Sequence, residues 1–278
     1  MYDVLNEVPI NAEISHRQAE KNFVIDKHQH LYRENAIVLY DRRYTDYAII
    51  GLHNMLQKDF IIRCPSSQTF SEIEKFIASK KTDSLVVLKK PRNFTNKNLS
   101  LCEAQVRLIK VELPTGEIEI LVTSLLNQEK YPLDEFLWLY HQRWGIETYF
   151  GRLKNILDVQ RFSSGFSQEI EQDFFSIILT SSIESIISKE DEMQLQQECF
   201  EKGTKYQYKI NKSVSYAEIA DVVVDLLLDT NKSAEEIFEQ LKITFRRSPC
   251  AIRPNRSFER KKRGSNLRLR FHKYRKRT

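Results

Sequence analysis

Long apolar runs are missing from this chain. No stretch of about 18 hydrophobic residues occurs, and the nearest candidate, Phe174 to Ile187, is interrupted by Ser176, Thr180, Ser181, Ser182 and Glu184. The opening MYDVLNEVPI lacks the basic-then-apolar order of a secretory signal, so a cytoplasmic protein is expected. Cysteine is scarce: Cys64, Cys102, Cys199 and Cys250 stand far apart, with no C-x-x-C pair to suggest a zinc knuckle or a redox dithiol. Structural thiols are the expectation. Glycine and proline number only seven each, which leaves little room for long flexible linkers, and no internal repeat is visible.

What is present is enough apolar material for a real core, 41% of 278 residues, and an uneven charge. From Phe245 to Thr278 there are 14 Lys and Arg against one acid, Glu259, which puts +13 in the tail and leaves −8 for the rest of a +5 chain. A basic tail can be a solvated terminus. Here the cations are interleaved with Phe258, Leu267, Leu269, Phe271 and Tyr274, a mixture that suits a polyanion, because basic groups displace counterions from phosphates and aromatics stack or pack.

Periodicity predicts a helix over Ile14 to Arg33, then a short apolar strand, Ala36 to Tyr40, of the kind buried on both faces and ending at Asp41. Apolar spacings of three and four predict a helix over Thr45 to Gln57, and Phe60 to Cys64 reads as a second buried strand. Strand, helix, strand in so short a span predicts parallel pairing, with Asp41 at the carboxyl end of its strand, where open α/β sheets place ligands. From about Phe70 to Ser124 the chain turns β-rich, with Pro114, Thr115 and Gly116 as a hairpin turn. Beyond Pro132 it is helical: Leu133 to Leu157, Gln168 to Ser188, Tyr216 to Leu228 and Ala234 to Leu241, the last opened by a capping box of Ser233 and Glu236.

The sharpest feature is YHQRWGIETYFGRLK, residues Tyr140 to Lys154. On one continuous helix at about 100° per residue, Tyr140, Arg143, Glu147 and Lys154 fall within a stripe roughly 60° wide. One explanation is a surface helix with an Arg143–Glu147 pair contributing about 0.2–0.5 kcal/mol. The other is a metal-binding carboxylate, Glu147, among groups that grip a nucleic-acid backbone: Tyr140, Arg143 and Lys154.

That spacing resembles the signature of the insertion-sequence-four family of DDE transposases, and all four positions match. The family's strand-end Asp, followed by Arg, Gly and an aromatic, is similar to VLYDRRY, where Asp41 matches and Arg43 stands in place of the glycine. MYDVLNEVPINAEI resembles the stretch between the family's first and second aspartates, so the resemblance covers roughly residues 1 to 245. It implies a ribonuclease-H-like (retroviral-integrase-like) α/β core at residues 1–157 with a β-rich insertion at about 70–124, a helical region at 158–245 and the basic tail at 246–278. It also implies a DNA transposase that cleaves phosphodiesters and transfers strands at transposon ends, with Asp41 and Glu147 as the second and third metal-binding carboxylates of an Asp, Asp, Glu triad. In-line attack on a phosphodiester uses two divalent cations about 3.5–4 Å apart, and carboxylates suit Mg²⁺ or Mn²⁺. Double-stranded DNA is the implied partner, with a homodimer in a synaptic complex.

The first Asp is harder to place. In such a sheet roughly 60 residues separate it from the second, estimated from average strand and helix lengths, whereas only 40 residues precede Asp41. Asp3 and Asp26 are the acids of that type available, and neither position fits, so the first strand and first Asp are expected to lie outside this chain. An amino-terminally incomplete domain, inactive alone, is one reading; a non-catalytic DNA-binding remnant is the other. His28, His30 and His53 are expected as exposed surface residues and not as ligands, since an i,i+2 pair on a helix points to different faces. Trp138 is expected in the core, and Trp144 either in the core or stacked on a base.

Overall fold

The computed structural model describes residues 1–15, 20–65, 70–92, 94, 103–228 and 233–253, the side chains of His28 and Gln29 excepted. Cys102, the His28 side chain and the tail beyond residue 253 lie outside the described residues. The chain divides into two units, one of residues 1–14 and 145 onward, the other of residues 15–144. In the first, Tyr2–Asp3 (β1) and Val8–Pro9 (β2) pair antiparallel.

The second unit begins with a helix, Glu20–Lys27 (α1), continued by a 3-10 turn over His28–Leu31. Next come Ile37–Tyr40 (β3), Tyr47–Leu56 (α2), Asp59–Cys64 (β4), Ser71–Ala78 (α3), Asp83–Lys89 (β5), Glu103–Glu112 (β6), Ile118–Thr123 (β7) and Glu135–His141 (α4). The five strands form one mixed sheet in the order β3-β4-β7-β6-β5. β3 and β4 are parallel, with Val38 opposite Phe60, and the other neighbours are antiparallel. Side chains alternate across the pleat, so Phe60, Ile62, Val106, Leu108 and Val122 pack on one face with Ile49, Ile50, Ile73 and Phe76, while Ile61, Ile109 and Leu121 pack on the other with Phe136 and Tyr140. Covering both faces is what the unbroken apolar runs of β4 and β7 require. The β6–β7 hairpin turns at Gly116, whose φ of +81° favours glycine.

Several expectations are corrected. β3 is an edge strand, paired among the described residues only with β4, and its Ile37, Val38 and Leu39 are half-buried instead of fully enclosed. Of the helix expected over Ile14 to Arg33, the described residues form α1 and its 3-10 turn, and the chain is not helical at Ile14, Ser15, Tyr32 and Arg33. Within the stretch read as β-rich, α3 places Ile73, Phe76 and Ile77 at helical spacing. The single helix expected over Leu133 to Leu157 is two: α4 stops at His141, and the next helix, Trp144–Asn155 (α5), starts after a turn. At that turn the amides of Gln142 and Arg143 both bond the Tyr140 carbonyl, tighter closures than the α-helical i−4 pattern. Two residues on is Gly145, a poor helix former.

The first unit continues from α5 into Ser167–Glu201 (α6), Gln207–Lys209 (β8), Lys212–Leu228 (α7), Ala234–Arg247 (α8) and Cys250–Ile252 (β9), with β8 and β9 antiparallel. Its core joins α6, α7 and α8 through Ile183, Ile187, Ile219, Ile237, Leu241 and Phe245. A polar seam crosses that packing. Glu184 is fully buried, takes an ion pair from Lys212 at 3.1 Å and accepts from Ser215 Oγ at 2.6 Å. At the start of α8, Ser233 accepts from the Glu236 amide at 3.2 Å while the Glu236 side chain accepts from the Ser233 amide, the reciprocal cap read from the sequence. Replacing Ser233 by alanine is expected to cost about 1 kcal/mol in denaturant unfolding; an unchanged midpoint would show that the cap contributes nothing. No described helix is long and apolar enough to cross a membrane.

Candidate nucleic-acid active site

Asp41 follows directly on the last residue of β3, at the carboxyl end of the parallel pair. Its carbonyl accepts from the Tyr44 amide at 2.9 Å, closing a 3-10 turn over Arg42–Tyr44. Arg43 lies inside this turn and has no positive φ, so the backbone here asks for no glycine and arginine fits without strain. Thr45 Oγ1 donates to the Arg63 carbonyl at 3.0 Å and ties the loop to the end of β4. Asp41 is half-buried, and its charge acts on two tyrosines. Burial, then the charges of Glu20 and Asp41, push the Tyr44 hydroxyl up to about 12. The Tyr140 hydroxyl is also raised, by burial first, eased by Arg143 and reinforced by Asp41.

Tyr140 is where two motifs meet. It lies in the last turn of α4, is buried, and its hydroxyl donates to the Tyr40 carbonyl at 3.2 Å across one hundred residues of sequence. Arg143, in the turn after α4, is buried too. Its guanidinium lies over the rings of Tyr140 at 5.7 Å and Trp144 at 4.9 Å.

Glu147 and Lys154 belong to the other unit, on α5. That helix buries Tyr149 and Leu153, four residues apart, and leaves Glu147, Phe150 and Lys154 exposed. Three contacts fix the buried face: Tyr149 stacks on Tyr2 at 4.7 Å, Tyr149 Oη shares a 2.8 Å hydrogen bond with Ser181 Oγ, and Arg152 pairs with Glu7. Although burial opposes it, the Arg152 pairing holds the Glu7 carboxyl below the usual glutamate range. Glu147 and Lys154, seven residues apart, still share a face of α5. The single helix expected to carry the four-residue stripe is two helices, with Tyr140 on α4, Arg143 in the turn, and Glu147 and Lys154 on α5.

Sequence reasoning missed the amino-terminal hairpin's role in orienting α5. The signal was present in Tyr2 and Glu7, an aromatic and an acid with no evident use.

The remaining acids and rings take other places. Asp3 is committed locally: its oxygens accept from the Leu5 and Asn6 amides, both at 3.0 Å, and from the Asn6 side chain at 2.7 Å. Asp26 is exposed on α1. His30 is exposed as expected, but His53 is wholly buried, because it lies on the core-facing stripe of α2 one turn after Ile49. Trp138 is 63% exposed and not in the core, since Phe136 and Tyr140 take the inward positions of α4. Trp144 is 44% exposed.

The oxygen chemistry of Asp41 and Glu147 suits Mg²⁺. Among the described residues no three His, Cys, Asp or Glu side chains gather.

A mixed α/β sheet with a carboxylate at the carboxyl end of its parallel pair places the chain in the class of α/β proteins, in which strand ends commonly hold ligands. Within it, the chain belongs to the transposase DDE domain family, whose family model matches residues 1–183. Membership carries a transposition-related function on DNA, in a family that generally uses divalent metal ions. No curated protein matches the chain.

Proposed function

We propose that the chain is the carboxy-terminal part of a DNA transposase catalytic domain of the insertion-sequence-four type, on a ribonuclease-H-like core. It would act in the cytoplasm on double-stranded transposon ends as a homodimer. The observation that carries this reading is the Tyr140 to Tyr40 hydrogen bond, which sets the Tyr of the Tyr-Arg-Glu-Lys motif against the residue preceding Asp41. In this reading the core spans 1–157, the helical region 158–245 and the basic tail 246–278.

Asp41 and Glu147 would be the carboxylates that hold Mg²⁺ or Mn²⁺, which would supply activation of the attacking hydroxyl and stabilisation of the leaving oxygen. Lys154, exposed on the same helix face as Glu147, contacts the transposon end. Tyr140 and Arg143 belong to the same DNA-binding set, and their burial suits them to holding the strand end beside Asp41 in shape. Asp41 and Glu147 match two carboxylates of the triad and no residue of this chain matches the first, which supports the reading that the isolated chain binds DNA and performs no strand transfer.

The test is a labelled transposon end with Mg²⁺ or Mn²⁺: salt-sensitive binding without nicking is expected. Robust cleavage that disappears in Asp41→Asn would overturn the incompleteness. Binding that is indifferent to Glu147→Gln, with no nicking under any metal, favours the second reading, a non-catalytic DNA-binding remnant.

A further inference from the structure

Beside Asp41 lies a cleft of about 410 Å³ lined by Lys21, Arg42, Arg43, Thr45, Phe70 and the prolines 65 and 91. It opens at the carboxyl ends of both parallel strands, since Arg42, Arg43 and Thr45 follow β3 and Pro65 follows β4. Lys21 pairs with Asp46 at 3.3 Å, and Asp46 also caps α2 by accepting from the Ala48 amide. Arg42 and Arg43 are exposed, and neither guanidinium makes an ion pair or hydrogen bond among the described residues. In sequence, residues 66–69 and 93–102, which lie just beyond Pro65 and Pro91, contain no acid and one lysine, so they bring no counter-charge.

We propose that this cleft binds the phosphodiester backbone of DNA immediately beside the strand end held at Asp41, with Arg42 and Arg43 as the phosphate contacts. The inference rests on the transposase reading and extends it to residues outside the Tyr-Arg-Glu-Lys motif. Two forked guanidinium groups suit phosphate oxygens, and the ring of Phe70 with the two prolines gives sugars and bases an apolar wall. Arg43 is the telling residue. The backbone admits glycine or arginine equally well there, so the arginine adds charge at no conformational cost.

The full chain, its Arg42→Gln/Arg43→Gln variant and a Lys80→Gln/Lys81→Gln control are titrated by fluorescence anisotropy onto a short mixed-sequence duplex over a salt series. Both pairs are exposed, so folding is preserved, which a thermal melt verifies. The slope of log affinity against log salt is expected to become shallower by about 0.9 for each lost phosphate contact, so by nearly two in the arginine variant, with affinity down roughly tenfold or more near 0.1 M salt. An unchanged slope in the arginine variant, or an equal change in the lysine control, overturns the proposal while leaving the transposase reading intact. A wild-type chain with no salt-dependent duplex binding removes that reading, and this proposal with it. Calorimetric titration with inorganic phosphate separates the sources: saturable binding that needs Arg42 and Arg43, alongside an unchanged duplex slope, assigns the cleft to a free anion and overturns the DNA assignment.

Discussion

Replacing Arg107 with methionine is expected to destabilise the chain by about 3–5 kcal/mol, the scale for breaking a buried ion pair on one side. Arg107 is fully buried on β6. Its guanidinium makes three bonds to Asp83 at 2.9, 3.2 and 2.6 Å, donates to the Leu125 and Tyr131 carbonyls at 3.3 and 2.7 Å, and lies 5.1 Å over the Phe136 ring. The variant therefore strands one carboxylate and two carbonyls together. Those carbonyls belong to the loop that feeds α4, so the loss also loosens the helix that delivers Tyr140 to Asp41. A double variant, Arg107→Met with Asp83→Leu, removes the stranded charge but not the two orphaned carbonyls, and should recover part of the loss. Urea unfolding of both variants measures it; a single substitution that costs less than about 1 kcal/mol would show that the pair is a passenger. Melting should drop on the order of 10 °C.

Arg107 shows how far the sequence could be read. Its strand was legible, and alternation even places Arg107 on the same face as Ile109 and Val111, which a hydropathy pattern alone marks as an error. What resolves it is Asp83, which pairs with Ile109 and so sits diagonally from Arg107, a relation that needs the β5–β6 register. The same distinction runs through the site. Asp41 at a strand end and the Tyr-Arg-Glu-Lys spacing were legible, because each depends on neighbours close in sequence. The break after His141 was not, since Tyr140 and Arg143 look regular on a wheel and only the doubled bonding at the Tyr140 carbonyl stops the helix there. The exposure of Trp138 also escaped, as an apolar ring says nothing about which side of α4 the sheet occupies. The basic cleft escaped for a further reason: Lys21, Arg42, Phe70 and Pro91 come from four separate segments, and nothing local announces their convergence.

His53 should make the chain lose about 3 kcal/mol of stability between pH 7 and pH 4, beyond what its carboxylates cause. Burial, partly offset by the Lys58 carbonyl and the charge of Asp59, lowers the imidazole from 6.5 to about 4. The unfolded chain then binds a proton on His53 that the folded chain refuses. Stability from this source is whole above about pH 6.5, declines as the pH falls, and is gone once the pH passes below about 4, because each tenfold difference in proton affinity between the folded and unfolded chain is worth about 1.4 kcal/mol. The hydrogen bonds explain why the neutral ring is held. Nδ1 lies 3.0 Å from the Lys58 carbonyl, which can only accept, so Nδ1 carries the proton. Nε2 then accepts from Tyr40 Oη at 2.9 Å, and Tyr40 in turn accepts from Tyr32 Oη at 2.7 Å. A second proton on the ring would reverse this chain at Tyr40, the residue whose carbonyl Tyr140 grips and whose neighbour is Asp41. His53→Phe keeps an aromatic ring at the position and removes the titration. Its baseline stability falls through the lost bonds, while its stability curve between pH 7 and pH 4 should be flatter than that of the wild type by about 3 kcal/mol. Parallel curves for the two proteins would mean that His53 is protonated as readily folded as unfolded, and that the Tyr32–Tyr40–His53 chain does not hold the end of β3 in one protonation state.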